Sequence, residues 1–250
     1  MKLTEKNTLV YVMLAAVIVL LIPHLVRFLF YNNIMIGEEP YYHATIAKQI
    51  IEQKSLIQDP NYLFNPYHLV LASAGYFMGL DLASKLIPLL LGLLSVLVFY
   101  LILKNFRAGL EQRLFMSLIL IISPAFIYLS VISNIHSVPV FLTLLGIYFL
   151  LKKNTVYKIL SLIAFAAAVS FGIFNALLVI AILLAYLIKE KSKKAIILLC
   201  IIILISAAFM PVYFQNKTKV LPKESILQSS ISDLSLIHIS EPTRPLYISY

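Results

Sequence analysis

Long apolar runs separated by short clusters of lysine and arginine constrain this chain more than any other feature of its sequence. The runs cover Leu9 to Phe30, Leu82 to Leu103, Leu114 to Ile132, Val138 to Leu151, Leu160 to Ile188 and Ala195 to Val212. A helix needs roughly 20 apolar residues to cross a bilayer. The chain is 61% hydrophobic and 12% charged, whereas a soluble domain is about half apolar and about a quarter charged. Only lipid makes such a surface tolerable, so the chain reads as a polytopic membrane protein. Its net charge of +9 does not point to nucleic acid. Lys104, Arg107 and Arg113, then Lys152, Lys153 and Lys158, then Lys189, Lys191, Lys193 and Lys194 sit between apolar runs. That distribution marks cytoplasmic loops facing anionic lipid.

These clusters also set a topology. Lys2 and Lys6 precede the first run, and no small-x-small cleavage site follows it. The run therefore reads as an uncleaved helix with its N-terminus in the cytoplasm, continuing through Pro23 and His24. Arg27 near its outer end is placed to snorkel to headgroups or to meet a substrate phosphate. Pro124 predicts a kink within the third run. Leu160 to Ile188 is too long for one span, and Gly172 with Asn175 near its middle predicts a tight hairpin of two helices. The expected fold is an all-α bundle of about seven spans in the plasma membrane. Cys200, inside an apolar run, reads as a small core residue.

Residues 31–81 form the first outer loop on this topology. Tyr42, Ile46 and Ile50 recur at helical spacing with Ala47 and Ile51 beside them, while Lys48, Glu52 and Lys54 take other faces. The pattern predicts an amphipathic helix lying on the membrane surface. Asp59-Pro60-Asn61 marks a turn after it. Pro66 to Gly79 is apolar but short, as expected of a second juxtamembrane helix or a tilted half-span.

The loop opens with Gly37-Glu38-Glu39-Pro40-Tyr41-Tyr42-His43, which holds two adjacent carboxylates in a chain with 11 acidic residues. A carboxylate can serve as a general base, and neighbouring carboxylates raise the pKa of at least one of the pair. The same residues also suit a plainer part. Acids ahead of Pro40 favour the positive end of a helix dipole, and the tyrosines suit an interfacial aromatic belt.

The order of one span, an acid-acid-Pro-aromatic-aromatic-His loop, an amphipathic helix and further spans resembles the GT-C superfamily of polyprenyl-phosphate-dependent glycosyltransferases. Gly37 to His43, the helix Ala44 to Gln53, Pro66-Tyr67-His68 and Ser123-Pro124-Ala125-Phe126 carry the resemblance, within roughly Met1 to Val212. It implies transfer of a sugar from a polyprenyl-phosphate carrier at the outer face. Glu39 matches the family's essential acid, acting as base or as metal ligand, with Glu38 as its electrostatic partner. Tyr42, His43, Lys48 and Arg27 become candidate substrate contacts, with Lys54 a further one for phosphate. A divalent metal would draw on Glu39 with His43 or His136. The chain departs from the oligosaccharyltransferase branch. Ala44 and Thr45 stand where that branch has an arginine, and the second outer loop offers Asn134 and His136 instead of acids. A transporter or lipid flippase is the alternative class, although coupled transporters usually need acids within their spans.

Residues 213–233 read as the start of an outer segment. Leu234 to Tyr250, LSLIHISEPTRPLYISY, resembles a translated sequencing-adapter tail. On that reading the native protein continues past Asp233 and this chain is a C-terminally truncated member of its family.

Overall fold

The computed structural model of the chain describes residues 4–30, 35, 37–53, 65–190 and 193–218. Lys54, the expected turn at Asp59-Pro60-Asn61 and the tail Leu234 to Tyr250 lie outside them. Every regular element among the described residues is a helix. In order these are α1 (Glu5–Phe30), α2 (Glu39–Gln53), α3 (Pro66–Met78), α4 (Leu80–Asn105) and α5 (Leu110–Ile122). They are followed by α6 (Pro124–Val131), α7 (Ser137–Leu150), α8 (Thr155–Val169), α9 (Ile173–Glu190) and α10 (Lys193–Thr218). The chain divides into two compact units, Met1–Tyr213 and Phe214–Tyr250. Of the second, the described residues include only the end of α10, which runs past the expected limit at Val212.

Two helices, α1 and α4, are long and apolar enough to cross a membrane, and α5 with α6 makes a third if the bent pair is one span. Four shorter apolar helices follow, within α7, α8, α9 and α10. The kink expected at Pro124 is a break. Ser123 is extended (φ −61°, ψ 124°), and α5 and α6 meet at 64°. Proline forces the preceding residue out of the helical region, which ends α5 there. The hairpin expected near Gly172 is present, with α8 ending at Val169 and α9 starting at Ile173. Gly79, at φ 85°, turns the chain from α3 into α4, a backbone angle that side chains disfavour.

Helix α4 is the hub. Its small and polar positions Ala83, Ser84, Gly92 and Ser95 are buried, as is Tyr100 near its end. One core joins Val12, Ala16 and Leu20 of α1 to Val96, Ile121 and Phe126. A second joins Ala47 of α2 and Tyr67, Leu71 and Ala72 of α3 to Ala83, Val138 and Phe171. A third runs through α7 to α10 around Phe165, Val179, Leu183 and Ile202. On α1 the buried residues Thr8, Val12, Ala16 and Leu20 recur every fourth position, and Val10, Leu14, Ile18 and Ile22 stay exposed. That is the pattern of a helix with one protein-facing stripe and lipid around the rest. Cys200, expected in the core, is instead exposed on α10. The sequence could not place it, because an apolar run in lipid has apolar residues on its outer face as well.

Charged side chains gather at two ends of the first unit. At one end Glu5 pairs with Lys104 and with Arg113 (3.7 Å), and Lys152 reaches Asn105 at 3.1 Å. At the other lie Arg27, α2, the start of α3, Asp81 and the Ser133–Ser137 turn.

Close helix approach depends on glycine. A Cβ at Gly146 of α7 would stand 2.5 Å from the Phe165 ring of α8, which is fully buried. Gly146→Val is expected to destabilise the protein by about 1–3 kcal/mol through overpacking. The check is thermal unfolding in detergent, where adding Phe165→Leu should recover part of the loss.

Candidate functional site

The site forms where α2 begins. Gly37, at φ 83°, turns the chain into it, and Pro40 suits its first turn. The Glu38 carbonyl accepts the Tyr42 amide at 3.0 Å, so Glu38 is the N-cap residue, and it is exposed. Glu39, one residue on, is the first helical position, with its side chain 39% exposed.

One turn later His43 lies on the same face of α2 as Glu39. Its Nε2 is 3.5 Å from Glu39 Oε1, and its Nδ1 is 3.0 Å from Nε2 of His68. His68 in turn accepts the Asn65 backbone amide on Nδ1 at 3.2 Å. Asn65 is the N-cap of α3, its side chain accepting the Tyr67 amide at 2.9 Å, and His68 closes the capping box from the third helical position. The other Glu39 oxygen, Oε2, accepts from the Tyr128 hydroxyl of α6 at 3.3 Å. The carboxylate is therefore held from both sides, by α2 itself and by α6.

Aromatic rings enclose the two imidazoles. Tyr42 and Tyr67 each meet the His43 ring edge-on, with centroids 5.3 Å apart. The Tyr67 hydroxyl is 2.5 Å from Ser133 Oγ, and Asn65 Nδ2 donates to the Phe171 carbonyl at 3.4 Å. Burial sets the protonation states. It pushes His68 down to about 3, helped by His43 nearby. It lowers His43 as well, against the opposing pull of Glu39. It raises Tyr67 to about 12, against the Ser133 hydrogen bond. Both histidines are thus neutral at physiological pH.

Several sequence expectations change here. The apolar face of α2 does not lie on lipid, because Ile46 and Ala47 are buried and Ala47 shares a core with α3 and α4. Arg27 does not snorkel. It is 3% exposed, its Nη2 donates to the Val131 carbonyl of α6 at 3.3 Å, and its Nε is buried without a partner. Lys48 points away from the site and forms an exposed pair with Glu52 at 3.7 Å. Glu38 is exposed, and the side-chain contacts of the Glu39 carboxylate are His43 and Tyr128. His136 is exposed, and no group of three or more metal-ligating side chains is present among the described residues. Glu39 and His43 come together as expected, but both His43 nitrogens are already engaged.

Sequence reasoning gave no role to His68, Tyr128 or Ser133. The signal for His68 was available, since Asn-Pro-x-His places a side-chain acceptor at the third position of a capped helix. Tyr128 left none, being 89 residues from Glu39. No family model matches the chain, and no curated protein matches it significantly.

The buried histidines predict a pH dependence. Between the ordinary value near 6.5 and about 3 for His68, the unfolded chain binds a proton that the folded chain refuses. Stability therefore falls as pH drops through that window. The midpoint of thermal unfolding in detergent is expected to decrease from pH 7 to pH 4.5. The decrease should be smaller in His68→Gln, which retains a capping-box residue without a titrating ring.

Proposed function

We propose that this chain is the membrane module of a glycosyltransferase that moves a sugar from a polyprenyl-phosphate carrier to an acceptor hydroxyl at the extracytoplasmic face. The observation that carries this reading is Glu39. Its half-exposed carboxylate is held by neutral His43 and by Tyr128 and opens the acidic loop that resembles the GT-C motif. In the reaction Glu39 takes the proton of the acceptor hydroxyl as its oxygen attacks the anomeric carbon. The new glycosidic bond forms while the bond from that carbon to the phosphate oxygen breaks. Its electron pair leaves with the lipid phosphate.

Arg27 supports a place for that phosphate. It is tied to Val131, three residues beyond Tyr128 on the same short helix. His24 lies within electrostatic reach of both Arg27 and Lys85. Lys85 is itself bonded to Asp81 at 2.6 Å. Arg27 with Lys85, rather than Lys48, is the cationic pair of this proposal. The long helices also favour an enzyme over a coupled transporter. The acids of α1, α4 and α5 are Glu5, Asp81 and Glu111, all in the first turn of their helices.

The proposed topology has seven spans in the plasma membrane, α5 and α6 counting as one, with a cytoplasmic N-terminus. Single cysteines at Thr45 and Lys153, both exposed, test it in a Cys200→Ser background. In intact cells an impermeant thiol reagent should label position 45 and spare position 153, and the reverse would overturn the assignment.

The chemical test is Glu39→Gln in the full native gene product, assayed with a radiolabelled polyprenyl-phosphate sugar. Removing a general base typically lowers the rate by about 10²- to 10⁴-fold, and that loss is expected with thermal stability little changed. Transfer should withstand a chelator. Normal transfer by the variant would sink the mechanism, and restoration of chelated protein by a divalent ion would recast Glu39 as a metal ligand.

A further inference from the structure

We infer that His68 is a positioning residue: through the Asn65 amide it fixes the tautomer of His43, so that a neutral N–H always faces the Glu39 carboxylate. The inference rests on Glu39 being the base only for its catalytic consequence; the tautomer itself follows from hydrogen-bond polarity.

The chain of contacts has one fixed end. A backbone amide can only donate, so the Asn65 N–H, 3.2 Å from His68 Nδ1, requires a lone pair there. Neutral His68 then carries its proton on Nε2. That nitrogen faces His43 Nδ1 at 3.0 Å, so Nδ1 of His43 accepts. Neutral His43 in turn carries its proton on Nε2, facing Glu39 Oε1 at 3.5 Å. The polarity of a single amide is passed across two imidazoles to the carboxylate. Reversing it would bring two donors together at His68 or set a ring lone pair against Oε1.

The arrangement is built rather than incidental. His43 and His68 are 4% and 1% exposed, and their rings lie 5.1 Å apart at 43°. Tyr42 of α2 and Tyr67 of α3 pack against the pair. The charged or titratable groups facing His43 are Glu39 and Tyr42 on its own helix, His68 and Tyr67 on α3, and His136 before α7. His43, the ring that faces Oε1, is neutral, so no cation touches that oxygen. That matters for a base. An imidazolium in contact would hold the carboxylate in its charged form and weaken it as a proton acceptor. A neutral N–H orients the same oxygen with far less of that effect. The Asn65 amide also leaves the chain no outlet for a proton, so His43 and His68 orient Glu39 and do not drain it.

The test is ¹⁵N NMR of ring-labelled histidine in the full native protein in lipid nanodiscs at neutral pH. This chain has five histidines, and the signals of His43 and His68 are assigned by substitution. Both are expected to be neutral, protonated on Nε2 and bare on Nδ1. In His68→Leu, His43 should lose its single tautomer, whereas His68→Gln, which retains an acceptor for Asn65 and an N–H for His43, should preserve it. In the transfer assay His68→Leu should lower kcat by about 10- to 10²-fold, the size of loss found when a partner that orients a metal-bound histidine is removed, with KM little changed. His68→Gln should restore most of it. A wild-type His43 found as the Nδ1–H tautomer or as imidazolium overturns the inference, as does full retention of the tautomer in His68→Leu. If His68→Leu does not fold, the wild-type spectrum decides alone. Expected spectra in a protein that transfers no sugar would uphold the tautomer lock and reject the glycosyltransferase proposal instead.

Discussion

The capping box that starts α3 is the constraint on which the Glu39 end of this protein depends. A helix start leaves backbone amides without partners, and those at the start of α3 must be met by side chains because they are shielded from water. Asn65 meets the Tyr67 amide, and His68 meets the amide of Asn65 itself. The same few residues then reach outward. Asn65 donates to Phe171 at the α8–α9 turn, Tyr67 joins Ser133 after α6, and His68 joins His43 on α2. One local solution to helix capping thus ties three distant parts of the chain together. The position of Glu39 follows from it.

Beneath that end, lipid removes the usual driving force between helices, and close contact depends on small residues and internal hydrogen bonds. A Cβ at Gly92 would stand 2.4 Å from the Ser130 hydroxyl, so the Ser130 side chain of α6 packs directly on the α4 backbone. Ser161 donates to the Gly146 carbonyl at 2.9 Å, at the same seam where Gly146 admits the Phe165 ring. The opposite end is closed by charge. Glu5 holds Lys104 and Arg113, joining the starts of α1 and α5 to the end of α4. α6, packed on α4 and tied to Arg27 of α1 through the Val131 carbonyl, carries Tyr128.

Much of this was legible in the sequence, for physical reasons that can be named. Apolar runs report membrane helices because lipid is intolerant of charge, and Pro124 and the Gly172 turn act on backbone angles regardless of context. The acidic motif was legible as well, because Glu39 and His43 lie one helical turn apart. What could not be read were contacts made by helices distant in sequence. Arg27 looked like a snorkelling residue because the carbonyl of Val131 that receives it lies 104 residues away. The apolar face of α2 fits lipid or protein equally well, and the sequence carries no mark of which covers it. Tyr128 had the composition of an interfacial tyrosine and no local neighbour to suggest otherwise.

The two acids of the motif show how context separates chemistry from capping. An acid that serves only the helix dipole needs proximity to free amides and no defined side-chain partner. Glu38 meets that description, exposed at the N-cap with only its carbonyl joined to the first turn of the helix. Glu39 does not, because each of its oxygens faces a different polar side chain, one from α2 and one from α6. Capping would not require His43 to be buried, nor its ring to be gripped by a second histidine. Burying two imidazoles carries an energetic cost unless their nitrogens are satisfied. Their chain of partners leads from a backbone amide to this one carboxylate and ends there. On the proposed reading that cost is the counterpart of a base that stays oriented without being neutralised. α6, which holds Tyr128 on Glu39 and Val131 on Arg27, is the element that would keep base and phosphate in register.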